Sequence, residues 1–261
     1  MKIIRNFVAP KESSPYNPGQ SIELDAGQQG EIIMNGMGGD SFGVQKILPY
    51  APNMEQVIVS VRLNEDLYLF RGVQLAVVHS LFTSISGLFA PFIVQKNNNV
   101  VFELHNKDAA KQTVNIQLIG YDKFALAKLQ EAYNQIGAAM PVPRFLYGHA
   151  TVQAGAVNTD LGVKSKSVDV DVRRMAMSSG SPDAVTASLR VYNTTIRQEL
   201  FIAQLNDEFD GHYINVPFIV GANMPFDVYA SNKGSQDAEV SFLCEGYASQ
   251  NGQYERETEE G

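Results

Sequence analysis

Residues 91–121 read PFIVQKNNNVVFELHNKDAAKQTVNIQLIGY, and residues 217–247 read PFIVGANMPFDVYASNKGSQDAEVSFLCEGY. The two stretches align without a gap over 31 positions at a constant offset of 126. Ten positions are identical: Pro91/Pro217, Phe92/Phe218, Ile93/Ile219, Val94/Val220, Asn97/Asn223, Asn106/Asn232, Lys107/Lys233, Val114/Val240, Gly120/Gly246 and Tyr121/Tyr247. Chance at average residue usage would give roughly two. The chain therefore carries an internal duplication.

Both copies are punctuated alike. Residues 97–99 and 223–225 are turn-formers between apolar runs, and so are 106–108 and 232–234. Between those turns Val100, Phe102 and Leu104 alternate with Val101, Glu103 and His105, and the second copy offers Phe226, Val228 and Ala230. The last run alternates Val114, Ile116 and Leu118, matched by Val240, Phe242 and Cys244. A period of two with one apolar face marks the strands of a sandwich. Cys244, the only cysteine, falls on the core face and reads as a small buried hydrophobe.

Upstream the identity fades but the pattern persists. Strand-like runs cover 21–26, 30–34, 56–64 and 67–81 in the first copy, and 150–154, 164–173, 184–193 and 196–205 in the second. Short strands with turn signals at this spacing predict an all-β chain of two tandem antiparallel jelly-roll sandwiches, joined by a short helical connector. The connector is 123–136 (KFALAKLQEAYNQI), with Ala125, Leu129, Ala132 and Ile136 along one face and Gly137 to end it. The expected layout is an N-terminal arm at 1–19, jelly roll 1 at 20–122, the helical linker at 123–145, jelly roll 2 at 146–248 and an acidic tail at 249–261.

Composition narrows the function. The net charge is −8 and Lys and Arg are scattered, so no direct nucleic-acid partner is expected. A lone cysteine permits neither an intrachain disulfide nor a Cys-based zinc site. Residues 1–10 lack the apolar core of a secretory signal. Residues 72–95 contain no Asp, Glu, Lys or Arg and so imitate a membrane span, but the equivalent stretch of the second copy carries Glu199, Asp207, Glu208 and Asp210. Buried strands are the expected reading.

Chemistry-bearing constellations are sparse. His79, His105, His149 and His212 are dispersed, and His105 aligns with Ser231, so no duplicated cupin-type metal site is apparent. A Ser–His–acid arrangement brought together from distant residues stays open. The glycine-rich 35–39 lacks the lysine, serine and spacing of a nucleotide fingerprint. Asp207, Glu208 and Asp210 offer hard oxygens ahead of Gly211, a set that suits Ca²⁺ without EF-hand spacing; an acidic solvated loop is the alternative. Asp169 and Asp171, on one face of a strand, are alternate candidates. No catalytic residue and no other cofactor is expected.

Tandem jelly rolls that each end in Gly-Tyr resemble the double jelly-roll major capsid proteins of tailless icosahedral viruses. The small size and short loops are similar to the corticovirus type of membrane-containing bacteriophage. The resemblance spans about residues 20–248. It implies a structural coat protein of the virion, assembled in the host cytoplasm. Homotrimers would form pseudo-hexameric capsomers of an icosahedral shell over an internal membrane, alongside other virion proteins. It also raises interest in calcium. The arm, with Lys2, Arg5 and Lys11 beside Ile3, Ile4 and Phe7, would suit a membrane surface or a neighbouring capsomer. The alternatives are a carbohydrate- or receptor-binding sandwich and a bicupin-like metalloenzyme.

Overall fold

The structure, a computed structural model, describes residues 7, 9–11, 15–36, 39–64, 67–82, 88, 90–192, 194–204 and 213–248. The first half runs β1 (Pro15–Tyr16), β2 (Gly19–Leu24), β3 (Gln29–Asn35), β4 (Phe42–Tyr50), β5 (Val57–Leu63), β6 (Leu67–Gln74), α1 (Leu75–Phe82), β7 (Phe92–Val94), β8 (Asn99–Asn106) and β9 (Gln112–Tyr121). Helix α2 (Lys123–Gln135) leads into β10 (Val142–Val152), β11 (Thr159–Asp160), β12 (Val170–Ser179) and β13 (Val185–Val191). The chain continues with β14 (Thr194–Phe201), β15 (Tyr213–Val220), β16 (Phe226–Asn232) and β17 (Ala238–Ala248).

The first sandwich pairs sheet β2-β9-β4-β7, which β1 extends along β9, with sheet β3-β8-β5-β6. The second pairs β10-β17-β12-β15 with β11-β16-β13-β14. Strand for strand the order is the same, every pairing is antiparallel, and each half is a jelly roll. The chain is a double jelly roll.

The ladders repeat in register as well as in order. Pro15 faces Tyr121 and Tyr16 faces Gly120; Pro143 faces Tyr247 and Arg144 faces Gly246. β4 slips against β9 between Val44 and Lys46, and β12 slips against β17 between Val172 and Arg174. Gly72 (φ 62°) and Glu199 (φ 50°) each donate their N–H to a serine hydroxyl one strand away, Ser60 and Ser188, at 3.1 Å in both copies. A glycine and a glutamate thus carry the same bulge, so backbone geometry outlasted sequence identity.

The shared residues have visible work. Asn97 (φ 62°) and Asn223 (φ 57°) supply the left-handed turn that Asn tolerates. Asn106 is fully buried and donates Nδ2–H to the carbonyls of Leu24 and Ala110, at 3.1 and 2.9 Å. Asn232 does the same for Val152 and Gln236, at 3.1 and 2.7 Å. Their side-chain oxygens accept the N–H of Asp108 and Gly234. Each satisfies backbone groups that burial would otherwise leave unpaired. Gly120 has to be glycine, because a Cβ there would sit 1.9 Å from the Gly43 carbonyl oxygen.

The core faces follow the alternation. Val114, Ile116, Leu118, Val240, Phe242 and Cys244 are all buried to 0% exposure, and burial raises the Cys244 thiol well above its usual range. Helix α2 is capped by Asp122, whose Oδ1 accepts the Ala125 N–H at 2.9 Å. Gly137 (φ 64°) ends it, and the Ala138 N–H reaches back to the Tyr133 carbonyl.

Several details depart from the sequence reading. Residues 75–82 are a helix, α1, where a buried strand was expected. Leu75, Val77, Val78, Leu81 and Phe82 are buried, so packing overrides the β bias of the adjacent valines. The stretch lacks charge because protein surrounds this segment on several sides. Among the described residues no helix is long and apolar enough to cross a membrane. β4 lies in a region for which no strand was expected, and β10 begins at Val142, inside the stretch assigned to the linker. On α2 the buried face is Ala125, Leu126, Leu129 and Tyr133, while Ile136 is exposed. β12 starts only at Val170, leaving Asp169 just outside it.

Candidate assembly interface

The two sandwiches meet asymmetrically. β6 and α1 of the first lie across β10, β12 and β17 of the second. They cover the outer face of the sheet whose inner face is the second core. β17 is consequently buried on both faces: Val240, Phe242 and Cys244 point inward, and Ser241, Leu243 and Glu245 point toward the first sandwich, all at 0% exposure. Phe145, Ala176 and Leu243 of the second sandwich join the hydrophobic core of the first. The Phe145 ring lies 5.5 Å from Phe70 and 6.0 Å from Phe82, centroid to centroid.

Several polar groups buried here are paired, some across the junction and some within the second sandwich. The Gln74 N–H donates to Ser241 Oγ at 2.8 Å, its Nε2–H to the Glu55 carbonyl at 2.9 Å, and its Oε1 accepts from Ser178 Oγ at 2.6 Å. Arg174 and Glu245 form an ion pair at 0% side-chain exposure, and the Tyr247 hydroxyl also reaches Glu245. The same hydroxyl accepts the Ala90 N–H at 3.2 Å, tying the Gly-Tyr end of the second copy to the first. Burial, reinforced by the Glu245 charge, holds the Tyr247 phenol well above its usual range.

His149, Ser241 and Glu239 stand in Ser–His–carboxylate order: His149 Nδ1 is 2.9 Å from Ser241 Oγ and Nε2 is 2.8 Å from Glu239 Oε2. Ser241 Oγ accepts the Gln74 N–H and also bonds His149 Nδ1, so it is shared between the two sandwiches. The hydroxyl is fully buried against the first sandwich, where no substrate can reach it. The arrangement joins the sandwiches; it presents no nucleophile.

Burial lowers the His149 pKa below 6.5, Glu239 opposes that and Lys107 adds to it. A depressed histidine takes its proton more readily in the unfolded chain. Its contribution to stability is therefore full above pH 6.5 and is lost as pH falls through the folded-state value. The melting temperature is expected to fall between pH 7 and pH 5.5, with a shallower slope for His149→Asn in parallel thermal melts. Identical slopes would show that this imidazole does not titrate against the fold.

The counterpart face on the first sandwich is open along β2 and the first half of β9, while α2 rests on its other end, with Leu126 over Gly43 of β4. Ladder register aligns Ser241, Leu243 and Glu245 with Asn115, Gln117 and Ile119, and Phe145 with Asn17. Asn17, Asn115 and Gln117 are exposed and Ile119 is half-buried. Tyr50 on the neighbouring β4 is 62% exposed. One covering element is spare too: β14, the counterpart of β6, leaves Thr194, Thr195 and Glu199 exposed.

Of the metal candidates, Asp207, Glu208 and Asp210 lie outside the described residues. Asp169 Oδ1 accepts the Ala222 N–H at 2.8 Å, and Asp171 pairs with Arg173 at 2.5 Å, so the two have separate partners. Among the described residues no three His, Cys, Asp or Glu side chains cluster as a metal-ligand set. Sequence reasoning missed the Arg174–Glu245–Tyr247 group, because Glu245 sits at an outward position of a strand that a neighbouring sandwich buries. A charged residue beside the shared Gly-Tyr was the available signal.

No protein-family model matches the sequence, and no curated protein matches it. Among solved structures the chain is similar to the major capsid protein P2 of bacteriophage PM2, with a TM-score of 0.45 and 11% identity over 90% of this chain and 100% of that one. It is also similar to a chain of the Sulfolobus Turreted Icosahedral Virus structure, with a TM-score of 0.45 and 13% identity over 90% of each chain.

Proposed function

We propose that this chain is a viral coat protein whose homotrimer closes a ring of six sandwiches. The observation that supports this most directly is the head-to-tail contact inside one chain. One jelly roll lays β6 and α1 on the outer sheet of the next, while the β2–β9 side of the matching sheet of the first and the outer residues of β14 of the second stay exposed. A heterologous contact that leaves both complementary halves free propagates to further copies, and a rotation that closes makes a ring. Three chains of two sandwiches supply six near-equivalent positions, which suits a hexagonal place in an icosahedral shell. The open face is more polar than its buried counterpart, as suits a contact formed after the chain folds.

Mass photometry on the purified protein is the test. A species at three times the 28.7 kDa chain mass is expected, with a six-sided outline in negative stain. A strict monomer at micromolar concentration, across salt and calcium conditions, would count against the coat reading.

The same proposal extends to the virion as location and, through the N-terminal arm, to contact with an internal membrane. Calcium held by Asp207, Glu208 and Asp210 belongs to it on the strength of sequence alone. Chelator should lower the melting temperature of the native protein and leave an Asp207→Ala, Asp210→Ala variant unmoved. Equal chelator sensitivity in both proteins would remove this loop from consideration.

A further inference from the structure

Beside the open edge of β7 the first sandwich has a groove of about 450 Å³, lined by Leu63, Asn64, Ile93 and Asn98 on one side. The other side is the chain itself: residues 140–143, the stretch that leads into β10. Pro141 and Pro143 are buried there, and Ile93 is half-buried.

The second sandwich repeats the near wall without the far one. β15 is the open edge of its sheet, as β7 is of the first. The residues corresponding to Asn64, Ile93 and Asn98 are Tyr192, Ile219 and Met224. Asn64 and Tyr192 share a left-handed backbone, with φ 58° and 56°. Each donates its N–H to the same point of the next turn, the carbonyl of Asn99 or of Pro225 at 3.1 Å. All three second-copy residues are large and exposed: Tyr192 43%, Ile219 61% and Met224 38%. They form one patch, since the Tyr192 hydroxyl and Met224 Cγ flank Gly221, at 2.9 and 3.2 Å from where its Cβ would be. A bulky residue seldom takes a left-handed conformation. Here an aromatic does so on the surface where the other copy uses asparagine.

Register identifies what belongs on the patch. Pro143 faces Tyr247 as Pro15 faces Tyr121, so residues 140–143 correspond to 12–15. We propose that the Tyr192–Ile219–Met224 patch holds the stretch leading into β1 of a second copy of this chain. It would repeat between chains what residues 140–143 do within one. The inference rests on the head-to-tail trimer and names a contact that trimer needs. The N-terminal stretch then acts as a strap from each subunit to the second sandwich of its neighbour. Continuity with the contact inside the chain selects this occupant over a glycan or a foreign protein.

The test is a cysteine pair, Ser13→Cys with Met224→Cys, treated with a short bismaleimide in the full-length protein. These positions correspond to Pro141 and Asn98, which both line the first groove. Buried Cys244 is out of the reagent's reach. The trimer fraction of the double variant should give covalent dimers and trimers on a denaturing gel, and neither single variant should. Ile219→Asp should raise the trimer dissociation constant about tenfold or more, as loss of an apolar anchor does. A trimer that forms but yields no interchain product, or only products within one chain, overturns the strap and leaves the trimer standing. A protein that never forms trimers overturns both.

Discussion

Replacing Glu245 by glutamine is expected to cost the fold about 3–5 kcal/mol, the scale for removing one partner of a buried ion pair. Arg174 and Glu245 face each other across β12 and β17, both at 0% side-chain exposure under the first sandwich. Once the carboxylate is gone, the guanidinium stays charged and has no water to turn to. Tyr247 at the same time exchanges a carboxylate acceptor for a neutral amide one. At about 2–4 °C per kcal/mol for a chain of this size, the melting temperature should drop by roughly 10 °C. The double variant Arg174→Met, Glu245→Leu should recover most of that loss, because a matched apolar pair has no desolvation penalty to offset. Urea denaturation of the two singles and the double gives the coupling energy directly. A Glu245→Gln loss below about 1 kcal/mol would mean that water reaches the pair.

Phe145→Ala should cost a similar amount, about 3–5 kcal/mol, but with a different signature. Its ring belongs to the second sandwich by sequence and to the first by packing, between Phe70 and Phe82. Removing it hollows the junction and leaves the core of the second sandwich untouched. Calorimetry should therefore resolve two transitions in the variant and a single one in the native protein. Phe242→Ala, which empties the second core itself, should lower stability without separating the two. A single cooperative transition in both variants would place the coupling between the sandwiches elsewhere, in the Gln74–Ser241–His149 contacts.

Sequence carried the duplication, the β class and the core faces of β8, β9, β16 and β17. In those strands alternation and turn residues follow from local chemistry. It also marked α2, whose Asp122 cap and Gly137 stop are local signals. β4 and α1 were not legible. β4 lies between two surfaces and mixes Pro49, Lys46 and glycine into its run, and α1 owes its helix to being enclosed.

The interface was legible least of all. Ser241 and Glu245 read as outward, solvated positions, because alternation tells which face of a strand a residue occupies and nothing about what lies over that face. What covers it is set by how one sandwich docks on the next, through contacts such as Gln74 with Ser241, 167 residues apart. Sequence by itself determined that two like sandwiches would form, since period-two patterning and turn chemistry act over a few residues. Only the tertiary structure decided that one outer sheet is buried along its length and its twin left exposed on the β2–β9 side. That asymmetry arises where the chain passes from the first copy to the second, and local pattern does not record it.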